Sequence, residues 1–287
     1  MQTVVYTILA LVAFAANSVL CRVALREGVI DPASFSTLRF ASGAATLFLV
    51  TAYRRRTALL SGSWKSAFIL FLYAIPFSFA YARVSAATGA LILFGAVQLT
   101  MISAGLWKGE RPRPLQWFGI AVSIAGLVYL LLPGFGTPPL QGAALMALAG
   151  LSWGVYSLLG RGAVNPLAQT MSNFMRTVPL LFVVSLLTGS QFHMQPNGVL
   201  FAVLSGVVAS GAGYVVWYQA LRSLSATRAA VVQLAVPILA ATGGVTLLGE
   251  MISTRLVLSS LMVLGGIVLA LLGRERQIQN AVLTSPD

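Results

Sequence analysis

Apolar residues fill the chain in blocks of about twenty, with the polar positions gathered between the blocks instead of alternating with apolar ones. The blocks predict ten spans, at 3–22, 34–53, 66–83, 87–107, 115–132, 141–160, 168–188, 198–221, 227–248 and 254–273. Between them lie the breakers that end helices: Asp31-Pro32, Arg111-Pro112-Arg113-Pro114, Pro133-Gly134 with Pro138-Pro139, Asn165-Pro166 and Pro196-Asn197-Gly198. A strand of a membrane barrel would alternate over about ten residues, and no such alternation is present. The prediction is an all-α integral membrane protein of ten transmembrane helices, whose short connections leave no room for a soluble catalytic domain.

Composition removes the soluble alternative. Charged residues make up 8% of the 287 positions and apolar ones 58%, with a mean hydropathy of +0.89, too little polarity to cover a water-exposed surface. The net charge of +12 could suggest nucleic acid, but the cations stand singly or in threes between apolar blocks and build no broad basic face. They read as an orientation signal instead. With the N-terminus inside, the cytoplasmic side holds Arg54, Arg55, Arg56, Lys65, Lys108, Arg111, Arg113, Arg161, Arg222, Arg228, Arg274 and Arg276, and the outer side only Arg22, Arg26, Arg83 and Arg255. That imbalance predicts both termini in the cytoplasm. The first block lacks a basic leader and a cleavage site, so it is taken as a span and not a removed signal. A single cysteine, Cys21, forms no internal disulfide, no Cys/His cluster has metal-ligand spacing, and no cofactor is expected.

The chain repeats itself. Shifted by 140 positions, SAATGALILFGAVQLTMISAGLWKGE (Ser85–Glu110) lies on SATRAAVVQLAVPILAATGGVTLLGE (Ser225–Glu250), and GIAVSIAGLVYLLL (Gly119–Leu132) on SSLMVLGGIVLALL (Ser259–Leu272). Nearer the start of each half, FAANSVLCR (Phe14–Arg22) lies on WGVYSLLGR (Trp153–Arg161), and Arg39 falls near Arg176. The expected organisation is a five-span unit at 1–133, a second at 141–273 and a polar cytoplasmic tail at 274–287. Five is odd, so the halves enter the membrane in opposite senses, the arrangement of alternating-access carriers with a site near the midplane.

These features, with the LLGE ending at Leu247–Glu250, the WKGE ending at Trp107–Glu110, Pro237 in the ninth span and the membrane arginines Arg39 and Arg176, resemble the drug/metabolite transporter superfamily, EamA type. The resemblance covers nearly the whole chain. It implies ten helices and export of amino acids and other small metabolites across a bacterial inner membrane. The family pattern usually has a proline in the fourth span as well, where this chain has Val97, which implies a straighter first half and unequal gates.

The six acids, Glu27, Asp31, Glu110, Glu250, Glu275 and Asp287, all fall in predicted loops, helix ends or the tail. A cation/proton antiporter needs an intramembrane carboxylate, which argues against that coupling. His193, the only histidine, falls in an outer loop. Glu110 and Glu250 end the fourth and ninth spans and are expected to face the positive end of the following helix or to pair with Arg111, Arg113 or Arg255, with gating as the other reading. Pro237 is either a kink or the source of a free carbonyl facing the cavity. Arg39 and Arg176 are costly inside the bilayer. They bind a substrate carboxylate or snorkel and bond to loop carbonyls, with Arg176, deeper by a turn, the better candidate for binding. Candidate cavity residues are completed by Asn17, Gln98, Gln233, Tyr81, Trp153, Tyr156 and the stripe Tyr214, Trp217 and Tyr218, which otherwise serves as packing or as an interfacial belt.

The function these readings predict is a secondary transporter of amino acids or organic acids, with the lipid bilayer and a small-molecule substrate as partners and no nucleic acid. The oligomeric state is open. The alternative within transport is efflux of aromatic or quaternary cations through cation–π contacts. No nucleophile, base and orienting group fall together, so an enzyme is not expected.

Overall fold

Four helices open on a proline at their first position, where the missing N–H would have had no helical partner anyway. A computed structural model describes residues 2–53, 61–107, 114–134, 136–160, 163–189, 192–224 and 232–284. It contains α1 (Gln2–Arg26), α2 (Pro32–Tyr53), α3 (Trp64–Tyr81), α4 (Ala86–Trp107), α5 (Pro114–Leu131), α6 (Leu140–Leu159), α7 (Pro166–Leu187), α8 (Pro196–Leu221), α9 (Ala235–Leu248) and α10 (Thr254–Thr284). Among the described residues nine of these are long and apolar enough to cross a membrane, and α9 is a shorter apolar helix. Short side chains cap the entries: Asp31 Oδ1 accepts from the N–H groups of Ala33 and Ser34, Ser63 Oγ from Ser66, and Asn165 Oδ1 from Ala168. Gly249 closes α9 with φ of 61°, a left-handed turn that favours glycine.

The connections reverse direction at each step, so α1 starts and α10 ends at one face of the bundle, the terminal face. The opposite face is the distal one. Packing follows a two-fold pattern: α2 lies on α7, α4 on α9 and α5 on α10, while α3 meets α6 as α8 meets α1. Swapping helix n for helix n+5 reproduces those contacts, as inverted repeats require. Leu49, Phe118, Phe182 and Leu261 are exposed on the outside, where lipid replaces water.

A reciprocal close approach joins α5 and α10. A Cβ on Gly119 would stand 2.4 Å from the Gly266 carbonyl oxygen, and one on Gly266 would stand 2.5 Å from the Gly119 carbonyl oxygen. Neither backbone can yield without separating the helices. Gly119→Ala is expected to destabilise the protein by about 1–3 kcal/mol, read as a lowered thermal midpoint in detergent, whereas alanine at the open Gly265 leaves it unchanged.

The limits of three predicted segments shift. The segment expected as a tail continues α10 to Thr284, because RERQIQNAVL contains neither glycine nor proline to stop it. The ninth span is interrupted at Leu234, and Pro237 is the third residue of α9. It stands in a first turn that lacks internal N–H bonds and therefore begins a helix instead of kinking one. The first helix runs on from the expected end at Arg22 to Arg26.

Candidate substrate cavity

Between the halves lies a cavity of about 580 Å³, lined by α1, α2, α3, α4, α6, α7, α8 and Gln233. It runs from the middle of the bundle to the terminal face, where Gly160, Asn165, Gln219 and Arg222 border it. At its inner end is Arg39, only 2% exposed. Its Nε donates to Ser210 Oγ at 3.2 Å and its Nη2 to Tyr73 Oη at 3.1 Å, and its carbon centre stands 4.9–5.5 Å from the rings of Phe77, Phe40 and Tyr73. The third nitrogen, Nη1, is buried with no hydrogen-bond partner. Among the described residues this guanidinium is held by hydroxyls and ring faces with no carboxylate beside it, a costly arrangement in a low dielectric.

Local sequence makes this possible. The stretch SGVVASGA, Ser205–Ala212 within α8, is a π-helix, a wider winding often found at functional sites. It presents Ser210 to Arg39 and Ser205 to Asn17, whose Oδ1 accepts from Ser205 Oγ at 2.7 Å. Gly206 lets the two backbones touch, since a Cβ there would stand 2.3 Å from the Arg39 carbonyl oxygen.

Toward the terminal face the wall is aromatic. Trp153 of α6 stands 5.0 Å from Tyr73, 5.6 Å from Tyr156 and 5.7 Å from Tyr214 between ring centres, and Phe14 of α1 meets Tyr214 and Trp217 edge-on. Tyr218 Oη shares a hydrogen bond of 2.7 Å with Thr170, and Asn173 Nδ2 donates to Tyr156 Oη at 3.2 Å. Gln98, 2% exposed, adds a buried amide nitrogen without a partner. Rings supply apolar contact area at a low entropy cost, and the amides and hydroxyls fix orientation.

At the distal face the two halves are tied together. Arg22 Nε pairs with Glu250 Oε1 at 3.0 Å, Arg22 Nη1 donates to the Tyr81 carbonyl at 2.8 Å, and Glu250 Oε2 accepts the Ala86 N–H that opens α4 at 2.9 Å. Arg26 Nη1 reaches the Leu248 carbonyl at 2.5 Å. Beside this lock two loops of the distal face join, Asp31 N–H to the His193 carbonyl and Gln195 N–H to the Val29 carbonyl, each at 2.8 Å. Gly244 makes room for the carboxylate, since a Cβ there would stand 2.6 Å from Glu250 Oε2.

Of the sequence candidates, Arg39, Asn17, Gln98, Trp153, Tyr156, Tyr214, Trp217, Tyr218 and Gln233 line the cavity. Three do not. Arg176 lies outside it, bonded to the Ser172 hydroxyl and 6.0 Å from the Trp64 ring at the terminal end of α3, because helix side chains lean toward the N-terminus and α7 begins at that face. Arg39, and not Arg176, is thus the more buried charge. Tyr81 is wholly buried behind Phe77, with their ring centres 4.8 Å apart, and Pro237 packs against the core. Glu250 caps α4 of the opposite half instead of the helix that follows it, and Arg255 bonds to the Leu132 carbonyl and Thr137. Glu110 lies outside the described residues. Sequence reasoning overlooked Ser210, Asn173, Thr170 and the partner of Glu250. The repeat held a signal for the last, since it aligns Arg22 with Arg161 and Glu110 with Glu250.

The fold is a bundle of ten apolar helices in two inverted halves around a cavity that reaches one face. The EamA-like transporter family matches twice, over residues 1–132 and 140–272, and the chain belongs to that family. It is 48% identical over 274 residues to an uncharacterized protein of Pseudomonas aeruginosa, covering 95% of this chain and 96% of that one. An uncharacterized transporter of Archaeoglobus fulgidus is 27% identical, covering 81% and 84%, and the uncharacterized transporter YwfM of Bacillus subtilis is 26% identical, covering 90% of each. A solved crystal structure shares the fold with a TM-score of 0.66 at 21% identity, covering 93% of this chain and 97% of the other. The protein is a multi-pass transporter of the lipid bilayer.

Proposed function

We propose that this transporter carries small carboxylate-bearing metabolites, amino acids or organic acids, by alternating access, and that Arg39 receives the carboxylate. The observation that carries the reading is the guanidinium at the inner end of the cavity, 2% exposed, held by neutral partners and with Nη1 unpaired. A carboxylate satisfies a guanidinium fork with two parallel charge-assisted bonds. The inverted halves, the cavity reaching one face and the lock on the other supply the two-sided geometry of alternating access.

The excess of Lys and Arg at the terminal face supports placing that face and both termini in the cytoplasm of a bacterial inner membrane. The cavity then faces the cytoplasm, the loading side of an exporter. The halves work as the two rocking units, with Glu250 in the outer gate.

The test is counterflow in proteoliposomes with neutral amino acids, organic acids and quaternary amines and no pH gradient imposed. Exchange of at least one carboxylate-bearing solute is expected. Exchange of the amines alone would assign the site to the ring wall of Trp153 and Tyr214 and replace this reading with cation efflux.

A further inference from the structure

The charge and donor balance of the cavity narrows the cargo further. Among the described residues that line it, the charged ones are Arg39 and Arg222, and none is Asp or Glu. Arg222 is exposed at the terminal mouth and remains solvated. Arg39 is therefore the charge that a bound solute must answer. The unmet hydrogen-bonding capacity points the same way. Two lining side chains have a buried polar atom with no partner, Arg39 through Nη1 and Gln98 through Nε2, and both atoms are N–H donors.

Four of the polar oxygens that line the cavity already accept a hydrogen bond within the protein, and an ammonium group would have to share them or rely on neutral amide oxygens, with no carboxylate among the described lining residues. Asn17 Oδ1 accepts from Ser205, Asn173 Oδ1 accepts the Ser63 N–H, and Tyr156 Oη accepts from Asn173. Tyr73 Oη, beside the guanidinium, accepts from Arg39. The ring faces nearest the inner end, Phe40, Tyr73 and Phe77, are occupied by the guanidinium itself.

From this balance we infer that the preferred cargo is a net monoanion, a carboxylate with an apolar or aromatic body and no ammonium group. The inference rests on the carboxylate reading above. A monoanion cancels the buried charge and fills orphan donors, and its body lies against Trp153 and Tyr214. A zwitterionic amino acid brings the same carboxylate but leaves one net positive charge in the cavity, with an ammonium that no acid faces. Desolvating that ammonium without a strong acceptor weakens binding.

Three probes that share a phenyl body test it on the full-length protein: 3-phenylpropionate, phenylalanine and 3-phenylpropylamine. Competition against counterflow gives apparent affinities, and ligand-induced shifts of the thermal midpoint in detergent report binding independently of transport. The expected order is phenylpropionate at least tenfold tighter than phenylalanine, with the amine inert. Arg39→Gln is expected to collapse that order. Phenylalanine bound as tightly as phenylpropionate, or more tightly, overturns the monoanion inference and leaves the carboxylate reading standing. Binding of the amine alone overturns both. If no probe shifts the midpoint at millimolar concentration, a cavity selective for apolar monoanions is refuted.

Discussion

Replacing Arg39 with glutamine is expected to weaken carboxylate binding by about ten- to a hundredfold, the equivalent of roughly 1.5–3 kcal/mol for hydrogen bonds to a charged group. The protein itself should fold at least as well. Arg39 is held by Ser210, Tyr73 and three rings without an acid, so neutralising it relieves a burial cost instead of orphaning a partner charge. A thermal midpoint unchanged or raised, together with lost binding, marks Arg39 as a group kept for its ligand. Arg39→Lys separates charge from geometry, because it keeps the cation and loses the planar fork. It should recover part of the affinity. A midpoint that falls steeply in Arg39→Gln, with binding intact in the fraction that still folds, would assign the guanidinium to packing and remove it from the site.

Breaking the distal lock should move the carrier in the opposite sense, from binding to conformation. Arg22 and Glu250 are 14% and 10% exposed at their side chains, so their pair lies between a surface bridge and a buried one, and its loss is expected to cost about 1–3 kcal/mol. That cost falls on the state closed at the distal face. Glu250→Gln should therefore shift the closed-to-open ratio by about ten- to a hundredfold. The amide oxygen can still accept the Ala86 N–H, so α4 keeps its cap and the fold is preserved. Spin labels at Glu27 and Met251, both exposed at that face, placed on a Cys21→Ala background, read the change as a longer distance across the lock. An unaltered distance distribution would make the pair a fastener between helices and not a gate.

Much of the architecture is legible in the sequence, for reasons tied to particular residues. The apolar blocks fixed the spans because every backbone group in lipid must bond within its own helix. Pro32, Pro114, Pro166 and Pro196 marked where helices start, and the 140-residue shift exposed the inverted halves. Asn17, Gln98 and Trp153 stood out as polar or amphipathic groups in apolar surroundings, and all three line the cavity.

Depth and direction were less legible. Counting residues into a span made Arg176 look deeper than Arg39, yet Arg176 leans back to the face where α7 begins, and Arg39 lies buried at the inner end of the cavity beside the π-helical turn of α8. Periodicity locates a residue along a helix and around it, but not which neighbour that face will meet. The stripe Tyr214, Trp217 and Tyr218 shows the same limit, since its spacing suits a lipid belt as well as a cavity wall. The π-helix itself left no signature in SGVVASGA beyond small residues.

By itself, then, the sequence determined the solvent this protein lives in, the number and limits of most of its helices and the inverted repeat, because these follow from local hydropathy, helix breakers and self-similarity along one chain. Only the tertiary structure decided that Arg22 of the first half meets Glu250 of the second, that Arg39 and not Arg176 enters the cavity, and that α8 unwinds to present Ser210. Each of these joins groups far apart in sequence, through packing that must satisfy both halves at once.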